Sequence, residues 1–130
     1  MPVFTAVEWT ASRELQVVER QSLTPSEDEI TIAVESAGIC GSDLHFFRGD
    51  FPARPGITPG HEFAGRVVAI GSNVTKHREG DLVGVEPLLR CGICEFCLTG
   101  DYHVCADRTL VGEGQHGGMS QLVNVPAHIA

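Results

Sequence analysis

Residues 91–105 read CGICEFCLTGDYHVC, and our interpretation of the fold starts from this stretch. Its cysteines have the spacing C-x2-C-x2-C-x7-C, and they are Cys91, Cys94, Cys97 and Cys105. Cysteines this close together leave little room for a packed regular element, but their thiolates can surround one small ion. Four thiolates suit tetrahedral Zn²⁺, with each sulfur about 2.3 Å from the metal. The spacing therefore predicts a zinc-binding lobe over residues 91–105.

An iron–sulfur cluster is the main alternative for the same cysteines. Bacterial ferredoxin loops use C-x2-C-x2-C-x3-C-P, so the first two steps match here and the third does not. Ala106 also occupies the position of the ferredoxin proline. The comparison favours zinc. A zinc ion held by four cysteines has no open coordination position, so we expect a structural rather than a catalytic site.

The composition is that of a folded domain without a basic surface. The chain has 130 residues, 42% of them hydrophobic, and its net charge of −8 comes from 17 acidic and 9 basic residues. That length supports one domain with its own core. The sequence contains no basic cluster, which argues against a nucleic-acid partner. Its apolar runs are all shorter than the roughly 18 residues of a membrane helix, so we expect no membrane partner.

The cysteine count and the N-terminal sequence favour a reducing compartment. Glu8 interrupts the only early apolar run, and no basic segment precedes it, so the pattern of a secretory signal is absent. The cysteines number five, and an odd number makes a disulfide framework a poorer interpretation than metal ligation or a reactive thiol. We therefore expect a cytoplasmic protein.

Short strands separated by glycine and proline turns are predicted for most of the chain. One short helix is predicted over residues 44–48, with Ser42 and Asp43 as candidates for its N-cap. Gly65 lies inside a predicted strand and indicates a bulge or a close backbone approach. The strands are predicted at residues 3–9, 15–19, 30–37 (a central strand), 61–70, 82–85 and 119–125. This pattern indicates a mostly-β, barrel-like domain.

The fifth cysteine, Cys40, belongs to a second candidate metal site with His61 and Glu62. One thiolate, one imidazole and one carboxylate would hold Zn²⁺ and leave a position for water or substrate. Each residue alone is weak evidence, because a single cysteine is most often a small buried side chain. The surrounding glycines permit a close backbone approach, but the residues leave both interpretations open.

Three polar residues follow Cys40 within five positions, and two of them are candidates for proton transfer. Ser42 would take a proton from the reacting oxygen, and His45 would pass it onward. Asp43 would hold a liganding histidine in one tautomer. The role of Ser42 and Asp43 as simple helix caps explains these residues equally well.

A glycine-rich segment near the C-terminus resembles a nucleotide-binding motif only by its letters. Residues 112–117 match G-x-G-x-x-G, but no helix pattern follows and only thirteen residues remain. That remainder is too short for a βαβ unit, so we interpret the segment as a glycine turn. The remaining histidines show no partner pattern and are expected at the surface; they are His77, His103, His116 and His128.

Several motifs occur together in one order along the chain. They are Cys40-Gly-Ser-Asp-Leu-His45, Gly60-His-Glu62, Gly71, Gly80-Asp81, the stretch 91–105 and Gly117-Gly118. In this combination the chain resembles the zinc-containing medium-chain alcohol and polyol dehydrogenases over essentially its whole length. The resemblance implies the N-terminal catalytic domain of that family, over residues 1–130. The expected fold is a GroES-like, partly open β-barrel with short helices and a zinc-binding lobe.

The resemblance also implies one catalytic and one structural zinc ion. Cys40 and His61 match ligands of the catalytic ion, and Glu62 matches a glutamate that is a ligand in the polyol and threonine dehydrogenase branch. Ser42 and His45 match the proton relay. The residue that orients the liganding histidine corresponds to Asp43, and the ligands of the structural ion correspond to Cys91, Cys94, Cys97 and Cys105.

Members of that family oxidise a small alcohol or polyol by hydride transfer to NAD or NADP. Their cofactor binds to a second, Rossmann-type domain, and this sequence ends before one. We therefore expect a fragment that is inactive alone, taken from a full-length protein that forms a homo-oligomer. The alternative is a non-enzymatic, zinc-stabilised module for binding or assembly.

Overall fold

Short strands make up most of the regular structure. The structure, a computed structural model, describes residues 2–52 and 54–130. The strands are β1 (Val3–Ala11), β2 (Glu14–Gln21), β3 (Glu29–Ala37), β4 (Phe63–Ile70), β5 (Leu82–Gly84), β6 (Leu88–Leu89), β7 (Thr109–Leu110) and β8 (Leu122–Pro126). The α-helices are α1 (Gly41–Arg48) and α2 (Glu95–Thr99), and 3₁₀ turns cover Tyr102–Val104 and Ala127–Ile129. Among the described residues, no helix combines the length and the apolar character needed to cross a membrane.

An antiparallel sheet with the strand order β5-β4-β3-β8 forms the centre of the fold. β3 pairs with β4 on one side and with β8 on the other. Ile32, Val67 and Val123 come from these three strands and are at most 1% exposed. Thr31 is also buried, and its hydroxyl donates a hydrogen bond to Asn124 Oδ1 at 2.7 Å. β3 is therefore the central strand that the sequence predicts.

The hairpin of β1 and β2 covers one side of the core. The two strands pair antiparallel; β1 extends beyond its predicted C-terminal end, and β2 extends beyond both of its predicted ends. β1 buries Phe4, Ala6 and Trp9, which are 2–8% exposed. The Val7 N–H donates to the carbonyl oxygen of Met119 at 2.9 Å, which attaches the hairpin to the segment before β8. This arrangement agrees with the mostly-β, partly open barrel expected from the sequence.

Gly65 has the role that its position in the strand pattern indicates. The pairing of β3 with β4 shifts between Val34 and Ser36, opposite Gly65 and its neighbour. A Cβ atom at Gly65 would overlap the carbonyl oxygen of Ala33. Because only glycine lacks this atom, the two strands can approach closely here. The predicted bulge or close approach is confirmed.

Helix α1 begins earlier than predicted, and the predicted N-cap is wrong. Cys40 is the N-cap residue, with an extended backbone at φ −91° and ψ 158°. Asp43 lies at the third helical position, and one of its carboxylate oxygens accepts the Cys40 N–H at 2.7 Å. This hydrogen bond is the returning half of a capping box, so the helix can start directly after Cys40.

Three short elements were not predicted from the sequence. Strands β6 and β7 pair through only two residues each, which is too short for a periodic signal. Helix α2 lies inside residues 91–105, so the expectation of little regular structure in the cysteine stretch is wrong. Strands β4 and β8 also begin later than predicted. The Met119 N–H, in the predicted β8, donates to the Pro59 carbonyl oxygen instead, and the Glu62 carbonyl oxygen, in the predicted β4, accepts the N–H of Gly38 beyond the end of β3.

Candidate metal centres and catalytic cleft

The four cysteines of residues 91–105 converge on one point. Their sulfur atoms all lie within 4.8 Å of one another. Cys91 Sγ lies 3.8 Å from Cys97 Sγ and 3.7 Å from Cys105 Sγ. The N–H of Cys94 donates to Cys91 Sγ at 3.3 Å, so the backbone turns around the sulfur atoms. A converging set of four thiol groups fits a tetrahedral zinc ion with no open position.

The conformation of this lobe depends on helix α2, on two glycine turns and on an arginine stacked on a tyrosine ring. Cys94 is the N-cap of α2, and its sulfur accepts the N–H of Cys97 at 3.5 Å. Gly92 and Gly100 have φ angles of 77° and 88°, a region that residues with side chains rarely adopt. The guanidinium carbon of Arg90 lies 3.8 Å from the centre of the Tyr102 ring. The contact of Arg90 with Tyr102 thus joins the residue before the lobe to the 3₁₀ turn near its end.

Without a metal ion, the thiol groups of Cys91 and Cys97 differ in acidity. Backbone N–H groups of Ile93 and Cys94 point at the Cys91 sulfur and lower its pKa to about 7. Burial raises the pKa of the Cys97 thiol to about 12, although the Gly92 N–H acts in the opposite direction. Of these two thiols Cys91 therefore ionises more readily, and a bound cation would be needed to deprotonate Cys97 near neutral pH.

Cys40, His61 and Glu62 form the second cluster. One ligand atom from each residue lies within 4.8 Å of the other two. The pairing of Ala37 with Phe63 brings the end of β3 to the start of β4 and places these residues side by side. A Cβ atom at Gly38 would lie only 3.0 Å from Glu62 Oε2, so this glycine leaves room for the carboxylate. The donor set fits a zinc site with three protein ligands and one open position.

The side chain of Asp43 lies against both Cys40 and His61. Its Oδ2 accepts the Cys40 N–H, and its Oδ1 lies 3.7 Å from His61 Nδ1. The side chains of Asp43 and His61 are only 10% and 14% exposed. Because a carboxylate can only accept, it favours the tautomer of His61 with the proton on Nδ1. The lone pair of Nε2 then remains available for a metal ion.

Ser42 and His45 occupy different parts of helix α1. Ser42 Oγ lies 3.4 Å from His61 Nε2, inside the cleft. His45 Nδ1 lies 3.1 Å from Asp50 Oδ2, and both of these side chains are 53% exposed. The His45 ring centre is 5.4 Å from that of Phe51. Within the described residues, Ser42 and His45 are not joined by a direct hydrogen bond, and the sequence analysis did not identify Asp50 as the partner of His45.

A cavity of about 280 Å³ adjoins the second cluster. Ser42, Asp43 and His61 supply its polar wall. Its other lining residues are Phe46, Phe51, Pro52, Pro59, Gly60, Leu110, Val111, Gly112 and Glu113. A mostly apolar cleft with a few converging polar groups is typical of a small-molecule site. The sequence analysis missed the contribution of residues 110–113, because nothing in their local pattern indicates which loop they face.

The glycine-rich segment 112–117 is a turn, as predicted. It passes into strand β8 rather than into a helix. Cβ atoms at Gly117 and Gly118 would overlap the Gly60 carbonyl oxygen and the Phe63 ring, respectively. These two glycines therefore allow the segment to run directly against the residues that precede His61.

Comparisons with known proteins agree with this geometry. The sequence profile of the alcohol dehydrogenase GroES-like domain matches residues 26–130. The starvation-sensing protein RspB of Escherichia coli strain K12 is 42% identical over 115 residues, which are 88% of this chain and 34% of RspB. Sorbitol dehydrogenase of Halalkalibacterium halodurans is 38% identical over 108 residues, 82% of this chain and 32% of the enzyme.

Solved structures show the same fold. The rspB alcohol dehydrogenase of Escherichia coli CFT073, complexed with NADH, has a TM-score of 0.91 and 36% identity, and covers 98% of this chain and 37% of that one. The cobalt- and zinc-bound thermostable alcohol dehydrogenase of Pyrobaculum aerophilum has a TM-score of 0.91 and 33% identity, and covers 97% of this chain and 40% of that one.

Fold and site together define a GroES-like β-barrel with two clusters of metal-ligating side chains. The chain belongs to the zinc-containing medium-chain alcohol dehydrogenase family, as its N-terminal GroES-like domain. The expected family and fold are thus confirmed. The chain spans about a third of the length of the curated relatives it matches.

Proposed function

We propose that this chain is the zinc-binding catalytic domain of an NAD- or NADP-dependent dehydrogenase that oxidises a small alcohol or polyol. The observation that carries the proposal is the Cys40–His61–Glu62 cluster, which lies beside an apolar cleft. A relative named sorbitol dehydrogenase and neighbours with bound NADH or with cobalt and zinc support the same chemistry. The domain comprises residues 1–130, and a Rossmann-type domain outside this chain binds the cofactor.

Each metal ion has its own set of side chains in this proposal. Cys40, His61 and Glu62 hold the catalytic zinc, and the cysteines of residues 91–105 hold the structural zinc. When bound, the catalytic ion supplies a Lewis acid that polarises the substrate oxygen and lowers the pKa of its hydroxyl group. Asp43 fixes the tautomer of His61 and, through the Cys40 N–H, the position of the thiolate.

The proton of the substrate hydroxyl leaves through helix α1. Ser42 Oγ faces the cleft and accepts this proton while it passes its own proton onward. Ser42 and His45 share no direct hydrogen bond, so in this proposal the proton reaches His45 through an intervening hydroxyl group or water. His45 releases it to solvent, and its 53% exposure supports this last step. Asp50 steadies the His45 ring through Nδ1. The apolar walls formed by Phe46 and Phe51 exclude water from the reacting atoms.

The setting of the enzyme completes the proposal. We infer a cytoplasmic homo-oligomer that acts on a small alcohol or polyol, and the relative named sorbitol dehydrogenase supports the substrate class. Reduced cysteines would be retained in that compartment.

Metal content of the purified chain tests the two sites. We expect about two Zn²⁺ or Co²⁺ ions per chain, and the Co²⁺ absorption should contain separate contributions from the four-thiolate and the mixed site. Cys40→Ser should remove one ion and only the mixed-site absorption, whereas Cys97→Ser should disturb the other site. A single ion per chain that Cys40→Ser leaves unchanged would favour the non-enzymatic zinc module.

Hydride transfer is tested on the complete polypeptide that carries this chain. We expect NAD(P)H absorbance to appear with an alcohol or a polyol, and Cys40→Ser to abolish it. A complete, zinc-loaded polypeptide without turnover on any alcohol or polyol would contradict the proposed activity.

A further inference from the structure

Thr58 lies three residues before His61 and is wholly buried. All of its polar groups have partners on other segments. Its carbonyl oxygen accepts the Gly117 N–H at 2.8 Å, and its hydroxyl accepts Arg20 Nη1 at 2.8 Å. Its own N–H donates to His116 Nδ1 at 3.1 Å. Thr58 therefore joins the loop that carries His61 to the segment that follows Glu113, which also lines the cleft.

Arg20 completes this connection from strand β2. Its Nη1 atom lies 3.0 Å from His116 Nδ1, and its Nη2 atom donates to Glu8 Oε2 at 3.1 Å and to the Gly56 carbonyl oxygen at 3.0 Å. His116 Nδ1 thus faces two groups, the Arg20 guanidinium and the Thr58 N–H. Neither group can accept a hydrogen bond, so Nδ1 must be the acceptor and the ring proton must lie on Nε2.

We propose that neutral His116 is a positioning residue of the candidate active site, because it ties the loop carrying His61 to the segment following Glu113. It acts through Thr58 and Arg20 and does not itself line the cleft. The inference rests on the proposed function only in assigning these loops to an active site. The connection itself is independent of that assignment. His116 is exposed, as the sequence predicts, but its ring accepts two hydrogen bonds whose partners the sequence pattern did not indicate.

Protonation of His116 would break this connection. A proton on Nδ1 would meet the Thr58 N–H and the Arg20 guanidinium, and both hydrogen bonds would be lost. Arg20 on β2 and Arg54 in the loop before Thr58 disfavour the charged imidazolium form of His116, whereas Glu8 on β1 favours it. Glu29 of β3 lines a cavity that also contacts His116. With an imidazolium at this position, the Thr58 N–H and Arg20 Nη1 would lose their acceptor.

The pKa of His116 lies below its ordinary value, chiefly because burial penalises the charged ring and secondly because Arg20 repels it. In the unfolded chain the histidine pKa is about 6.5. As the pH falls below that value, the unfolded chain takes up a proton that the folded chain resists. The connection therefore stabilises the fold fully above about pH 6.5, and this stability is lost as the pH falls through the folded pKa.

Two substitutions separate this role from a general effect on folding. In His116→Asn, the amide oxygen replaces Nδ1 as acceptor and does not titrate. In His116→Phe, a ring of similar size remains and the acceptor is lost. At neutral pH we expect His116→Phe to speed hydrogen exchange of the Thr58 amide about tenfold and His116→Asn to leave it near the wild-type rate.

The pH profile provides the decisive comparison. We measure the thermal midpoint and the Thr58 amide protection between pH 7.5 and pH 5. As the pH falls over this range, both quantities should decrease more in the wild-type chain than in His116→Asn. The two chains share the titration of every other group, so their difference reports His116 alone. Parallel profiles would overturn the proposal, and His116→Asn keeps this test valid if His116→Phe fails to fold.

Metal binding separates this inference from the proposed function. In the Co²⁺-loaded chain, the mixed-site absorption should weaken at low pH more in the wild type than in His116→Asn. If no ion binds at Cys40 in either chain, the proposed function fails, whereas the Thr58 amide still tests the connection. If Co²⁺ binds and both chains respond to pH identically, His116 does not position the site.

Discussion

At the scale of single residues, Asp43 has the widest influence on the candidate catalytic site. The same carboxylate completes the capping box of α1 and faces the Nδ1 atom of His61. Its two oxygen atoms therefore set the positions of a thiol and an imidazole at once. The sequence offered helix capping and tautomer control as alternatives. The geometry is compatible with both, although Asp43 caps the helix from its third position and not as the N-cap residue.

Asp43→Asn tests the second of these roles. The asparagine oxygen still accepts the Cys40 N–H, but the amide has no charge to hold the Nδ1 proton of His61. We expect metal affinity at the mixed site to fall by about 10–100-fold. Competition with a chelator measures this change against Asp50→Asn, an exposed partner of His45 that should leave affinity unaltered. Equal affinities in the two variants would contradict the role of Asp43.

At the scale of elements, the close contact between the segment 58–60 and Gly117-Gly118 determines the shape of the cleft. The Gly118 N–H donates to the Gly60 carbonyl oxygen at 2.9 Å, and the Met119 N–H donates to that of Pro59 at 3.0 Å. These hydrogen bonds require two backbones to approach without side chains between them.

Gly118→Ala should disrupt this contact. The new Cβ atom would overlap the ring of Phe63, which is 7% exposed and belongs to the core. We expect the free energy of unfolding to fall by about 1–3 kcal/mol in urea denaturation. Gly84→Ala is the matched control, because its Cβ atom would meet no heavy atom within 4 Å. Equal stabilities of the two variants would show that the segment can shift at little cost.

The cysteine lobe should depend on its metal ion for local order. Helix α2 has only five residues, and helices that short are not stable by themselves in water. We expect a chelator to abolish amide protection over residues 91–105 while β3 and β4 stay protected, as hydrogen exchange would report. The β3–β4 pairing needs no ion, since its core residues are apolar. A lobe that remained protected without metal would contradict this dependence.

At the scale of the whole molecule, exposed apolar side chains surround the candidate catalytic site. Ile39, Leu44 and Phe51 lie near the candidate catalytic site and are 75%, 50% and 44% exposed. Their exposure fits a surface that the cofactor domain covers in the proposed full-length enzyme. The glycine-rich segment 112–117 forms a turn and does not provide a dinucleotide site.

The isolated chain should therefore bind zinc without catalysing alcohol oxidation. Hydride transfer needs a nicotinamide held at a fixed distance from the substrate, and we expect the described residues of this chain not to hold it by themselves. Absorbance of NAD(P)H, followed with alcohols and polyols, should stay at the level of the protein-free control. Measurable turnover by the 130-residue chain would refute this expectation.

The sequence by itself determined the features that depend on neighbouring residues. The four cysteines of residues 91–105 could be read as one metal site because a short loop must bring them near each other. The strand pattern and the bulge at Gly65 follow in the same way from local alternation and from the missing Cβ atom.

Only the tertiary structure decided which distant residues meet. Cys40 reaches His61 because β3 pairs with β4 in one register, and a shift of that register would separate them. His116 reaches Thr58 and Arg20 because two loops and a hairpin converge on one buried threonine. The spacing of residues along the chain does not predict such long-range contacts, because they depend on strand pairing and core packing across the whole domain.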